Sequence, residues 1–206
     1  MRTELAIIGA GPGGLAAAEV ATQHGISVRI IDEQSRCGGQ IYRQPPTSFS
    51  VRGWLAGRQY RAIRSLVNRV QALEGIEWQL ETTVLGITPL QEDGAGYRYR
   101  LVLNRHGVTY QLDAKCVLIA AGCYDMPVLL PGWNLPGVMA TGGIQAFVKS
   151  QLLIPGERFL FAGTHPLQLI VADQIQQAGG QVIGILFAQP LSAMLRVLRC
   201  PLLAMR

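Results

Sequence analysis

The chain has 206 residues, of which 49% are apolar and 15% charged, enough for a sizeable buried core and too apolar for a disordered segment. Its net charge of +5 comes from 16 Arg and only 2 Lys spread along the chain, which excludes a basic tail built for nucleic acid. Four cysteines, at positions 37, 116, 123 and 200, form no C-x-x-C pair and stand beside no histidine at metal-ligand spacing. A zinc site and a dithiol relay are therefore not expected, and a reducing cytoplasm fits best.

Leu5 to Ile8 is a short apolar run ending in glycines, as expected of a parallel strand covered on both faces. Residues 13 to 24 read as a helix, and Ser27 to Ile31 as a second strand ending at Asp32-Glu33. Between them lies Gly9-Ala10-Gly11-Pro12-Gly13-Gly14. In this spacing Gly9 permits the tight turn out of the strand, Gly11 lets backbone N–H groups approach a pyrophosphate, and Gly14 lets the helix pack closely on the sheet. The helix N-terminus then meets the phosphate charge. Asp32, at the end of the next strand, supplies a carboxylate for ribose hydroxyls and repels a 2′-phosphate. The unit is expected to bind a dinucleotide.

Beyond the acidic residue, Gly38-Gly39-Gln40 offers backbone to the remainder of a long cofactor. From Trp54 to Leu73, apolar Tyr60, Ile63, Val67 and Val70 define one helical face, with Arg58, Arg61 and Arg64 off it; Arg52 precedes the helix and Gly75 closes it. The arginines are expected to line a solvated face, the other reading being a docking surface for an acidic partner or nucleic acid, which no nucleic-acid motif supports. A third strand is expected over Ile76 to Leu80. Val84 to Thr88, Tyr97 to Asn104 and Thr109 to Leu112 alternate in the manner of an antiparallel meander inserted in a parallel fold, turning at Glu92-Asp93-Gly94 and His106-Gly107. Val117 to Ala121 returns to a buried strand and ends at Gly122. After an extended Pro127 to Pro136 and a helix over Thr141 to Gln151, a second β-α-β pattern follows: strand Arg158 to Ala162, helix Pro166 to Ala178, strand Gln181 to Phe187. The division expected is residues 1–155 for the first domain and 156–206 for an incomplete second one.

The chain resembles the flavoprotein oxidoreductases with two dinucleotide folds, in the branch holding the FAD-binding subunits of opine oxidases, D-hydroxyproline dehydrogenases and hydrogen cyanide synthase. The matching pieces are Gly9 to Gly14, Asp32-Glu33-Gln34 with Gly38-Gly39-Gln40, Ala120-Ala121-Gly122, and most specifically Pro131-Gly132-Trp133-Asn134-Leu135-Pro136-Gly137-Val138. The resemblance implies an α/β Rossmann-like FAD/NAD(P)-binding fold. FAD would lie with its pyrophosphate on Gly9, Gly11, Pro12 and Gly14 and its ribose on Asp32 or Glu33. Gly39 and Gln40 would lie near the cofactor, the backbone of Val84 near the adenine, and Ala121 and Gly122 at the turn beside it. The reaction implied is hydride removal from an amine, opine or amino acid to give an imine, with a second oxidoreductase subunit binding much of the substrate. No residue is assigned a catalytic role; Tyr124-Asp125 is too isolated for one.

The sequence departs from that pattern in two places. The second nucleotide turn, Gly163-Thr164-His165-Pro166-Leu167-Gln168, keeps only its first glycine, so no NAD(P) site is expected there, and His165 is expected to be a turn residue. Relatives of this kind carry a returning Gly-Asp segment that is absent here, which is expected to leave an open sheet edge and uncovered apolar surface. That absence keeps a second reading open, a nucleotide-binding or interaction remnant without catalysis. A simple NAD-dependent dehydrogenase is disfavoured by the meander and the Gly38-Gly39-Gln40 loop. The apolar stretch from Val182 to Leu195 is interrupted by Gln189 and Pro190 and is too short to span a bilayer, and no signal peptide is expected. The tail Leu191 to Arg206 reads as a helix that lacks its packing partner, or as a membrane-surface helix, interrupted by Pro201.

Overall fold

The structure is a computed structural model, and it describes residues 1–49, 57–91, 94–190 and 192. Arg52, the start of the helix expected from Trp54, the Glu92-Asp93 turn, Cys200 and, apart from Ser192, the tail from Leu191 lie outside the described residues. The chain divides into two compact units, Met1–Cys123 and Tyr124–Arg206. The second β-α-β pattern, from residue 156, lies inside the latter.

The first unit is built on a six-stranded sheet. Its strands are β1 (Arg2–Ile8), β2 (Val28–Ile31), β3 (Ile76–Gln79), β4 (Thr82–Pro89), β5 (Tyr99–Arg105) and β6 (Val108–Ile119), in the order β3-β2-β1-β6-β5-β4. The first four in that order run parallel, and β5 and β4 continue antiparallel from β6. Helices α1 (Pro12–Gln23) and α2 (Arg61–Gln71) carry the crossovers. Strand β1 shows why both faces are apolar: Leu5 and Ile7 pack with the helices, in a core holding Leu15, Ala18, Ile63, Val67 and Val70. Ala6 and Ile8 pack against Leu101, Leu103 and Leu112 of the meander. The parallel sheet is therefore covered on each side, as its run of apolar residues requires. Arg58 and Arg61 are exposed, in keeping with a solvated face, and Arg69 grips Glu19 of α1 in a bidentate pair of 2.6 and 3.1 Å.

One sequence expectation is corrected. Thr109 to Leu112 and Val117 to Ala121 are not two strands but one, β6, which pairs with β5 from Val108 to Ala114 and with β1 from Asp113 to Ile119. The polar residues between them looked like a break. In the fold they are mid-strand partners: Asp113 accepts from Arg100 Nε and Nη2 at 2.7 and 3.0 Å, and Lys115 Nζ lies 3.1 Å from Glu4. The Arg100 hydrogen bond holds the Asp113 carboxyl below its ordinary value, against a smaller upward push from burial. The stability this pair contributes is present above about pH 4 and is lost as the pH falls through the lowered value. Because β5 ends opposite Ala114, the outer edge of Cys116 to Ile119 has no strand partner among the described residues, and Ile119 is 68% exposed.

Beneath the meander, Arg29 of β2 is buried and pairs through Nη2 with Glu77 of β3. Its Nε and Nη1 have no hydrogen-bond partner among the described residues. Removing Glu77 leaves a buried charge uncompensated, so Glu77→Ala is expected to cost about 2 kcal/mol, reduced from the usual buried-pair figure because Glu77 itself is two-thirds exposed. Arg29→Met, which removes the charge and keeps the volume, is expected to stay within about 1 kcal/mol of the parent. Urea midpoints of the two variants decide the matter; equal losses would refute the asymmetry.

The second unit has α3 (Thr141–Ala146), continued by a π-helical turn Phe147–Gln151, then β7 (Arg158–Gly163), α4 (Leu167–Gln177) and β8 (Gln181–Phe187). Strands β7 and β8 pair in parallel, and Val148, Phe159, Phe161, Val171, Ala172 and Ile175 form its core. Asp125 accepts a hydrogen bond from Gly142 N in the first turn of α3, which gives that carboxylate a local structural partner.

Candidate functional site

Strand β1 delivers the chain into the glycine turn, where three loops converge. Gly9 has φ of 107°, a conformation open to glycine alone, and a Cβ there would strike the carbonyl of Ala120 and lie 3.1 Å from Ala121 Cα. A Cβ on Gly14 would strike the Gly9 carbonyl oxygen. Gly39 comes so near Gly11 that its Cβ would stand 2.8 Å from Gly11 Cα. The turn 9–14, the loop 38–39 and the segment 120–121 are thus packed backbone against backbone. Side chains would force them apart.

Hydrogen bonds fix the same convergence. Gly38 N donates to Ala10 O at 2.8 Å, Ala120 N to Ile8 O at 2.8 Å, and Gln40 Nε2 to Cys123 O at 2.7 Å. Asp32 Oδ2 accepts from Ala10 N at 2.6 Å and Oδ1 from Gln34 N at 2.8 Å. The carboxylate at the end of β2 therefore braces the glycine turn. Glu33, its neighbour, is exposed, and its Oε1 accepts from Gln34 Nε2 at 3.2 Å. Thr82 N donates to Asp32 O at 2.9 Å and Glu81 N to Gln34 O at 3.1 Å, which draws the start of β4 to the acidic segment. Val84 lies two residues further along β4, beside the bulge at Gly86, with its side chain on the meander core.

Helix α1 begins at this turn with Gly11 as N-cap, Pro12 at its first position and no capping side chain. A Cβ on Gly13 would meet nothing within 4 Å, and one on Gly11 only Gly39 Cα at 3.8 Å. Helix geometry leaves the N–H groups of this first turn without intrahelical acceptors, so space and donors for an anion coincide there. Gly122, with φ of 69°, likewise faces open space.

The sequence points to most of these residues but not to Glu81, Thr82 and Cys123 as parts of the site, where they act through backbone atoms. Only their position next to named residues could have signalled them.

Cys37, buried at the base of the Gly38-Gly39 loop, receives a hydrogen bond from Gln71 Nε2 at 3.4 Å, and burial pushes its thiol up. Cys116 and Cys123 are exposed free thiols. Iodoacetamide at pH 8 is expected to alkylate Cys116 and Cys123 first, with Cys37 at least about tenfold slower; equal rates on peptide mapping would contradict the buried placement. Among the described residues no cluster of His, Cys, Asp or Glu is arranged to hold a metal, and no helix is long and apolar enough to cross a membrane.

A covered parallel sheet, a glycine turn at a helix N-terminus and an acidic end to β2 define a Rossmann-like nucleotide-binding fold. Residues 3–191 match the model of the pyridine nucleotide-disulphide oxidoreductase family, and the chain belongs to that family. It is 35% identical over 180 residues to hydrogen cyanide synthase subunit HcnB of Pseudomonas aeruginosa, a match covering 87% of this chain and 37% of the relative. To an opine oxidase subunit of Rhizobium meliloti it is 32% identical over 193 residues, covering 94% of this chain and 40% of the relative. The chain thus spans about two-fifths of the length of these relatives. Among solved structures, L-proline dehydrogenase from P. horikoshii shares the fold with a TM-score of 0.71 at 22% identity, over 90% of this chain and 36% of that one.

Proposed function

We propose that this chain is the FAD-binding portion of an oxidoreductase subunit that takes hydride to the flavin from the carbon bonded to nitrogen in an amine, opine or amino acid, the nitrogen losing its proton to solvent to give an imine. The observation that carries the reading is the convergence of the 9–14, 38–39 and 120–121 backbones around an uncapped helix N-terminus, with Asp32 bracing Ala10. A cradle closed to side chains but open at Gly13 suits a pyrophosphate, and the adjoining Gly38-Gly39-Gln40 loop suits a cofactor longer than the adenosine half.

When bound, FAD supplies a two-electron acceptor. The protein's part is to hold it. The N–H groups of the first turn of α1 would meet the pyrophosphate, and Glu33, exposed beside an Asp32 whose two oxygens each already accept one backbone N–H, would take the adenosine ribose hydroxyls. Gln40, tied to Cys123, would fix the loop beside the cofactor, and the Val84 backbone would contact the adenine.

The substrate class rests on relatives whose names carry opines and hydrogen cyanide, and the partner on their being subunits. The free thiols support a reducing, cytoplasmic setting. Anaerobic titration of the FAD-loaded protein, together with its partner subunit, with secondary amines and amino acids tests the reading. The expected result is bleaching of the flavin bands. Bleaching by NADH or a dithiol but by no amine would overturn the substrate class.

A further inference from the structure

Two strand-to-helix turns in this chain have the position of a nucleotide cradle, and they differ in what meets the backbone N–H groups. At α1 no side chain caps the helix and Gly13 opens to free space. At α4 every early donor is already taken. Pro166 has no N–H, Leu167 N donates to His165 Nδ1 at 3.1 Å, Gln168 N to His165 O at 3.4 Å and Leu169 N to Pro166 O at 3.0 Å. His165 thus serves as a helix cap from one position before the N-cap, with the lone pair of Nδ1 turned to the helix.

The space is closed as well as the donors. Gln168, the third residue of the degenerate glycine pattern, is 3% exposed. Its Oε1 stands 3.5 Å from the point that a Cβ on Gly163 would occupy. Its Nε2 is buried with no hydrogen-bond partner among the described residues. The carboxamide therefore lies against the strand end where a pyrophosphate needs bare backbone. From the other side, Ala188 N donates to Gly163 O at 3.0 Å and Gln189 Nε2 to Thr164 O, bracing the turn from the end of β8.

We propose that His165 and Gln168 close the second turn as a self-capped structural corner, so that the pyridine nucleotide implied by the family does not fit there. Among the described residues one nucleotide cradle then remains, at Gly9 to Gly14. The role of the two residues is to exclude a ligand, through the His165 imidazole and the Gln168 carboxamide.

The test is hydrogen-exchange mass spectrometry of the full chain in saturating FAD, with NADH and NADPH as probes. The expected result is no added protection in peptides covering residues 160–175. The double substitution His165→Gly with Gln168→Gly restores the spacing of a binding turn and is expected to bind NADH at least about tenfold more tightly than the parent, with protection in those same peptides. Gln168→Ala, which clears the carboxamide and keeps a good helix former, is expected to gain part of that affinity should the double variant fold poorly. Protection of 160–175 in the parent would overturn the proposal. So would folded variants that gain nothing. Protection of residues 9–20 by NADH concerns the first turn and bears instead on the FAD reading.

Discussion

Gly14→Ala is expected to destabilise the first unit by roughly 3 kcal/mol, a fall in melting midpoint of about 6–12 °C for a chain of this size, and to abolish flavin retention. The added Cβ would collide with the Gly9 carbonyl oxygen, a backbone atom that no rotamer change can move aside. Two responses are open to the chain. Helix α1 lifts from the sheet and exposes Leu15 and Ala18, both fully buried, or Gly9 shifts and is driven into Ala120. Either one spoils the alignment of the turn with the helix N-terminus. Gly13→Ala is the matched control: its Cβ meets nothing, and alanine favours a helix, so stability is expected to hold or rise while flavin affinity falls only where the methyl crowds the phosphates. Calorimetry and visible spectra of the two variants side by side separate steric damage from a general cost of losing glycine.

Asp32→Ala is expected to cost about 3 kcal/mol and about 100-fold in FAD affinity. It strips the acceptor from Ala10 N and from Gln34 N, and Ala10 is fully buried, so its N–H finds no water in exchange. Asp32→Asn keeps one oxygen acceptor and turns an amide toward the other donor, so roughly half of both effects is expected. Glu33→Ala makes the useful contrast. Being exposed and outside the brace, it is expected to leave the melting midpoint unchanged and to weaken FAD by about tenfold through the ribose alone. If Glu33→Ala left binding untouched and Asp32→Asn matched Asp32→Ala in binding without loss of stability, Asp32 would be the ribose ligand and the assignment of roles would be reversed.

The glycine turn and its acidic partner were legible because their logic is local: Gly9, Gly11 and Gly14 are spaced by one strand end and one helix turn, and Asp32 by the next strand end. The helical face of Ile63, Val67 and Val70 was legible for the same reason, since burial repeats with the helix period. What stayed hidden depends on partners distant in sequence. Asp113 and Lys115 read as a break between strands until Arg100 and Glu4 neutralise them across the sheet, and only then does β6 become one strand serving both the meander and the parallel core. That Asp32 turns inward to Ala10 N and Gln34 N while Glu33 stays exposed was equally invisible, because two adjacent carboxylates at a strand end differ only in which direction the pleat points them. The second turn lies between these cases. Its missing glycines were plain in the sequence, but the capping of Leu167 by His165 and the burial of Gln168 over Gly163 required coordinates.

The central claim is that FAD binds at Gly9 to Gly14. Its most direct test is the visible spectrum of the purified chain after incubation with excess FAD and gel filtration, run beside Gly11→Val, which places a branched side chain at the start of α1 beside Gly39. The parent is expected to retain flavin bands at about one FAD per chain and the variant to lose them. A parent that retains no flavin, or a folded variant that retains as much as the parent, would contradict the account.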